Sequence, residues 1–172
     1  DQASHVVLPG VGAFGDCMNN LARYKLLEVI HGSIAGGKPF LGICVGYQLL
    51  FSESEEFGCH QGLGILAGKV KAIPLRQAEG ETSLKIPHMG WNTIKVTKPA
   101  PPLQGIAPDS YVYFVHSYYV EPVDGSLVST QTEYGIPFAS SVWKDNVFAT
   151  QFHPEKSQAV GLQVLKNFGD WQ

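Results

Sequence analysis

The sequence predicts an α/β fold: three layers, with a mostly parallel central sheet, flanking helices and an antiparallel C-terminal extension. Two observations carry this expectation. In the N-terminal third, apolar runs alternate with amphipathic segments in the order strand, loop, helix, strand, turn, helix. Consecutive strands joined through a helix pair in parallel with right-handed crossovers, and their following loops open on one edge. In the C-terminal third, four β-like runs follow one another, with short turns between the later ones, which favours antiparallel pairing. A chain of 172 residues, 44% hydrophobic and 16% charged, is long enough for one full core, and residues 1–172 are taken as a single domain.

In order along the chain, His5 to Leu8 is the first strand. It stops at Pro9-Gly10-Val11-Gly12, a turn that could offer backbone N–H groups to an anion or simply lead into a helix. Gly15 to Ile34 is expected to be one amphipathic helix, with Met18, Ala22, Leu26 and Val29 on its apolar face and Gly36-Gly37 at its end. Pro39 to Ile43 is a buried strand. From Val45 the apolar spacing turns helical, and this helix is expected to reach the acidic stretch Ser52 to Glu56, which reads as a solvated face. Gly68 to Ile73 and Trp91 to Val96 are further strands, separated by a polar loop at Gln77 to Thr82. Pro87 to Asn92, reading PHMGWN, mixes Pro and Gly with His, Met and Trp and is expected to be a shaped surface loop. Lys98 to Pro108 is a proline-rich connection. The β-rich third comprises Tyr111 to Tyr119, Leu127 to Thr132, Phe138 to Trp143 and Val147 to Phe152, and Leu162, Leu165 and Phe168 mark a closing helix.

The formal net charge is −3 with no basic cluster, so neither nucleic acid nor an anionic membrane is the expected partner. No apolar run reaches membrane-spanning length and no signal-peptide pattern is present. Cys17, Cys44 and Cys59 are odd in number, widely spaced and without a CxxC pair. They point to free thiols in a reducing compartment, the cytoplasm, rather than to disulfides or zinc. The sequence opens at Asp1 and enters a strand within four residues, so a processed or trimmed start is expected.

The chemistry centres on Pro39 to Phe51. A strand changes to a helix at Cys44, and Gly42 and Gly46 stand two residues to either side. That is the layout of a nucleophile elbow with cysteine in place of serine, and a helix N-terminus there favours the thiolate. A lone cysteine in an apolar run is more often a core position than a catalyst. A second constellation weighs against the core reading. His153 and Glu155 flank Pro154 at a strand end before a helix, where an imidazole could act as base and acid and a carboxylate could orient it. His5, His31 and His60 have no company that implies chemistry, and His88 and His116 read as packed or pocket-lining.

LPGVGAF (Leu8 to Phe14), GICVGYQLLF (Gly42 to Phe51) and QFHPEKS (Gln151 to Ser157) resemble the three signatures of the class I, triad-type glutamine amidotransferases, and the resemblance covers essentially the whole chain. Val45 and Tyr47 stand where the family more often has Leu and Met. The family also opens with a strand, a helix and a further segment before LPGVG, so its flavodoxin-like glutamine amidotransferase fold is expected here with the N-terminal βα portion missing. The resemblance implies glutamine hydrolysis: Cys44 attacks the side-chain amide, His153 protonates the departing ammonia, and Glu155 orients His153. It places the oxyanion hole at the backbone of Val45 and of the Gly10, Val11, Gly12 loop. It assigns Gln48 and Glu56 to the amino-acid end of glutamine, with the backbone of Gly12, Ser117 and Tyr118 completing the pocket. No cofactor and no metal are implied.

PHMGWN, YVYFVHSYY and the closing segment resemble one branch of that family, which serves histidine biosynthesis. There the glutaminase forms a heterodimer with a (β/α)8-barrel cyclase that takes up the ammonia. That branch would put Trp91, Asn92, Tyr113 and Lys156 at the partner face. Three alternatives stay open: the glutaminase of a related amidotransferase in another pathway, a stand-alone γ-glutamyl hydrolase with a cysteine nucleophile, and a non-catalytic binding or regulatory subunit that retains the fold.

Overall fold

The computed structural model describes residues 2–74 and 84–172, and the polar loop expected at Gln77 to Thr82 lies outside them. The first strand, β1 (Val6–Gly10), leads through the glycine turn into α1 (Phe14–Arg23) and α2 (Leu27–Ala35), and β2 (Phe40–Cys44) follows. β1 and β2 pair in parallel, with Gly10 opposite Cys44, so the two loops after them do open on one edge. All five residues of β2 are buried, as befits a strand with parallel neighbours on both sides.

The helical segment after β1 is not continuous. Lys25 adopts a left-handed φ of 57°. The N–H of Lys25 donates to the Ala22 carbonyl and that of Leu26 to the Leu21 carbonyl, which is the paired bonding of a Schellman cap. Lysine in the place where glycine is usual gives no sequence signal of a helix end. The break also rotates the apolar face: Phe14, Leu21 and Ile30 are buried, whereas Ala22, Leu26 and Val29 are exposed.

The helix after Cys44 is likewise shorter than expected. α3 (Val45–Gln48) has four residues, and β3 (Phe51–Ser54) begins directly after it. A longer helix would need the carbonyls of Leu49 and Leu50 for its own next turn. They instead accept N–H groups from Leu63, Ile65 and Leu66, which lead into β5 (Leu66–Ala72) after the two-residue β4 (His60–Gln61). Burial of Leu49, Leu50 and Phe51 under this segment outweighs local helical spacing.

PHMGWN is the start of a strand, β6 (His88–Val96), which pairs antiparallel with β7 (Ser110–His116) over its first seven residues. Its proline ends just before the ladder, and its glycine has a φ of 133° that the pairing tolerates. Tyr111 to Tyr119 is not one strand either. The chain changes sheets at Ser117, whose carbonyl accepts the Ile73 N–H, and continues as β8 (Tyr118–Pro122). The remaining strands β9 (Val128–Glu133), β10 (Pro137–Lys144) and β11 (Val147–Thr150) fall where expected, and α4 (Gln158–Asp170) closes the chain.

Seven strands form the main sheet in the order β1-β2-β11-β10-β9-β6-β7, and β4-β3-β5-β8 form a second. The α/β class and flanking helices match expectation, but the main sheet is mixed rather than mostly parallel. Only β1-β2 and β2-β11 pair in parallel. From β11 outward every ladder is antiparallel, because the Asp145-Asn146 turn folds β11 back between β2 and β10. The larger core includes β2, α3, β3, β11 and the inner faces of α1, α2 and α4, and a smaller aromatic one lies around Phe114, Phe138 and Phe152. No helix among the described residues is long and apolar enough to cross a membrane.

Candidate active site

Cys44 ends β2 with φ 55° and ψ −113°, a conformation that costs a side-chain-bearing residue about 1–3 kcal/mol. Two close backbone approaches hold it there. A Cβ on Gly46 would stand 1.8 Å from the Leu8 carbonyl oxygen, and one on Gly10 would stand 2.7 Å from the Gly46 nitrogen. The end of β1 therefore lies directly against α3, and this is the contact that turns the chain sharply enough to present the thiol above the sheet.

His153 follows β11, the strand beside β2, and caps a 3-10 turn at Pro154–Lys156. Its N–H donates to the Tyr113 carbonyl at 2.9 Å, and its carbonyl accepts the Ser157 hydroxyl at 2.6 Å. The backbone is thus pinned to β7. Its Nδ1 lies 2.7 Å from Glu155 Oε1, which puts the proton on Nδ1 and leaves Nε2 with a lone pair. That Nε2 is buried and has no hydrogen-bond partner among the described residues. Cys44 and His153 line one cavity of about 530 Å³.

The thiol is not poised as a thiolate in this cavity. Burial pushes Cys44 up to about 11, against a smaller opposing pull from the Val45 N–H bonded to it. A four-residue helix has too few aligned peptides to offset that desolvation, so the expected thiolate-favouring helix terminus is not realised. An acid raised in the folded state ionises first in the unfolded chain. Its contribution to stability is therefore lost as pH rises from the ordinary thiol value of 9.0 toward about 11. Iodoacetamide labelling of Cys44 in the free chain, followed by peptide mass spectrometry, should accelerate with pH throughout that window. A plateau already reached below the ordinary thiol value would contradict the desolvated thiol.

Val45, Val11 and Gly12 line the cavity beside Cys44. Gly10 does not: it sits behind the cysteine, filled in by Val45 and Gly46. Gln48, Glu56, Ser117 and Tyr118 all reach the cavity. The Gln48 amide donates to the Tyr118 carbonyl at 3.2 Å and to Gln151 Oε1 at 2.9 Å. Glu56 accepts the Phe14 N–H at 2.6 Å, closing the first turn of α1, so an apparently solvated acidic run contains a structural carboxylate. Trp91 and Tyr113 meet edge to face at 6.0 Å on the outer side of β6 and β7, and Lys156 Nζ stands 5.8 Å over the Tyr113 ring. Asn92 is on the opposite side of β6, bonded to the Glu133 carbonyl at 2.9 Å.

His116, read from the sequence as packed or pocket-lining, is buried and does line the cavity. The sequence gives no role to two further residues: Phe57 lines the cavity, and Gln151 donates from Nε2 to Cys44 Sγ at 3.8 Å. Gln151 opens the QFHPEKS motif two residues before His153, and its place in that motif is the signal that could have found it. Phe57 is 84% exposed with a φ of 54°, and nothing in its sequence surroundings marks it.

The family model described as glutamine amidotransferase class-I matches residues 2–170. The chain is 57% identical over 169 residues to the imidazole glycerol phosphate synthase subunit HisH of Syntrophotalea carbinolica, covering 98% of this chain and 82% of the relative. It is 54% identical over 167 residues to the protein of the same name from Aquifex aeolicus, covering 97% and 77% respectively. Among solved structures, a glutamine amidotransferase superposes with a TM-score of 0.69 at 18% identity, covering 98% of this chain and 81% of that one. PurLQS from Thermotoga maritima gives 0.68 at 18% identity, covering 99% and 81%. At those identities the two structures establish a shared fold.

Proposed function

The chain belongs to the class-I glutamine amidotransferase family, and on that premise we propose that Cys44, His153 and Glu155 hydrolyse L-glutamine to glutamate and ammonia. The observation that carries the reading is the strained elbow at Cys44 facing the same cavity as a histidine whose tautomer a carboxylate sets. The thiol is protonated in this cavity, so its proton must leave as sulfur attacks the amide carbon. The free Nε2 of His153 is the acceptor. The resulting imidazolium, stabilised by Glu155, passes the proton to the leaving ammonia, and water then cleaves the γ-glutamyl thioester.

The tetrahedral oxyanion needs N–H donors about 3 Å away, and removing one such donor typically costs about 10²–10³ in rate. The Val45 N–H and one N–H from the Val11-Gly12 turn border the site where it forms. Gly12 has a φ of 90°, so its flanking peptides can reorient without a side-chain penalty. Gln48, Glu56 and the backbone of Ser117 and Tyr118 hold the amino-acid end of glutamine.

Ammonia released into water is protonated and lost as a nucleophile, so the glutaminase works inside a complex. Its partner is the (β/α)8-barrel cyclase of an imidazole glycerol phosphate synthase, in cytoplasmic L-histidine biosynthesis. The names of the relatives support this, and Trp91, Tyr113 and Lys156 form the face it meets. Co-purification with that cyclase should give a stoichiometric complex whose glutaminase activity requires the cyclase ligand. Full turnover by the isolated chain would favour the stand-alone γ-glutamyl hydrolase instead.

A further inference from the structure

We propose that His88 and His116 form a proton-ordered hydrogen-bond relay that positions the Tyr118 carbonyl, and through it the Gln48 amide, in the wall of the glutamine pocket, with His88 as the positioning residue. The proposal rests on the glutaminase reading for its substrate and on geometry for its protons. The Tyr118 carbonyl can only accept. Two groups converge on it: His116 Nδ1 at 2.8 Å and Gln48 Nε2 at 3.2 Å. The His116 proton is therefore on Nδ1, and its Nε2 carries a lone pair. His88 Nδ1, 2.9 Å from that Nε2, must be the donor.

The other end fixes the same order independently. Asn92 Oδ1 accepts the Thr93 N–H at 2.8 Å, and Asn92 Nδ2 donates to the Glu133 carbonyl at 2.9 Å. These two backbone groups settle which end of the amide is which. Asn92 Nδ2 also lies 3.3 Å from His88 Nε2, which must then be the acceptor. Backbone groups at both termini thus impose one direction of donation, Asn92 to His88 to His116 to Tyr118.

Packing holds the relay in place. The His88 ring is stacked between Tyr134, at 3.9 Å and 20°, and Phe114, at 4.8 Å and 22°, so it cannot tilt away. Burial lowers His88 to about 4 and His116 to about 3. Both rings are therefore neutral near neutral pH. An imidazolium at either position would set one N–H against another. The chain continues through Gln48 and Gln151 to Cys44 Sγ. His116 borders the cavity but His88 does not, so His88 reaches substrate only through its neighbour.

Packing and hydrogen bonding can be separated by two substitutions. His88→Phe keeps a ring between Tyr134 and Phe114 but removes the donor. His88→Asn loses the stacking but keeps an N–H near the Nδ1 position. In the cyclase complex, His88→Phe should raise KM for glutamine about tenfold with kcat within about twofold, the signature of lost uniform binding. His88→Asn should stay within about threefold in KM despite a lower melting temperature. An Asn variant as impaired in KM as the Phe variant, or no KM change in either, would overturn the relay. Imidazole ¹⁵N NMR of the unsubstituted protein near neutral pH decides the proton order without reference to activity. Both rings should show the Nδ1–H tautomer, and an Nε2–H tautomer at either sinks the proposal. Absence of glutamine turnover by the unsubstituted complex would instead count against the glutaminase reading.

Discussion

Cys44→Ala in the cyclase complex should lower glutamine hydrolysis by about 10⁵–10⁶-fold, the loss seen when a nucleophile that acts as part of a unit is removed. Turnover of the cyclase with an ammonium salt should persist. The expectation follows from geometry: Cys44 is the cavity residue that the elbow places at the end of a fully buried strand, and His153 Nε2, in the same cavity, has no hydrogen-bond partner among the described residues. Glutamate release and ammonium-dependent product formation, measured side by side, separate loss of the nucleophile from loss of the fold. Equal glutamine-dependent rates for the native and variant complexes would rule out Cys44 as nucleophile.

Gly46→Ala should be strongly destabilising. Its Cβ would lie 1.8 Å from the Leu8 carbonyl oxygen, a backbone atom within the β1–β2 ladder that cannot swing aside as a side chain could. Relieving the clash means separating β1 from α3, which also releases the strained Cys44. We expect a loss above about 3 kcal/mol, at the upper end for overpacking, read as a large drop in melting temperature or in folded yield. Gly32→Ala is the internal control. It sits within α2 with no atom within 4 Å of the added methyl, and should be neutral or stabilising by up to about 1 kcal/mol. Equal melting temperatures for the Gly46→Ala variant and the unsubstituted chain would show that the backbone contact is not needed.

Which elements are legible in the sequence has physical reasons. β2 and β11 can be read because buried strands are written in near-continuous apolar residues, β1 because its Val-Val-Leu run stops at Pro9-Gly10, and β9 and β10 because turn pairs such as Asp124-Gly125 and Asp145-Asn146 bound them. α1 and α2 read as one helix because a Schellman cap on Lys25 uses backbone hydrogen bonds and leaves no glycine to see. α3 reads too long because the carbonyls of Leu49 and Leu50 are claimed by residues 63–66, a competition that local periodicity cannot register. PHMGWN reads as a loop because its alternation is between His88, Gly90 and Asn92 on one side and Met89 and Trp91 on the other. Burying a histidine and an asparagine inside a strand makes sense only once their hydrogen-bond partners are known.

The family, the elbow around Cys44 and the His-Pro-Glu pair can be read from residue order alone, since each is a local pattern whose spacing is itself the constraint. Tertiary structure decided the rest. It set the mixed order of the main sheet, the desolvation that keeps the Cys44 thiol protonated, and the directed bonds through His88 and His116. Each of these depends on groups far apart in the chain, and their energies come from burial and from pairing of backbone polar groups that no local stretch contains.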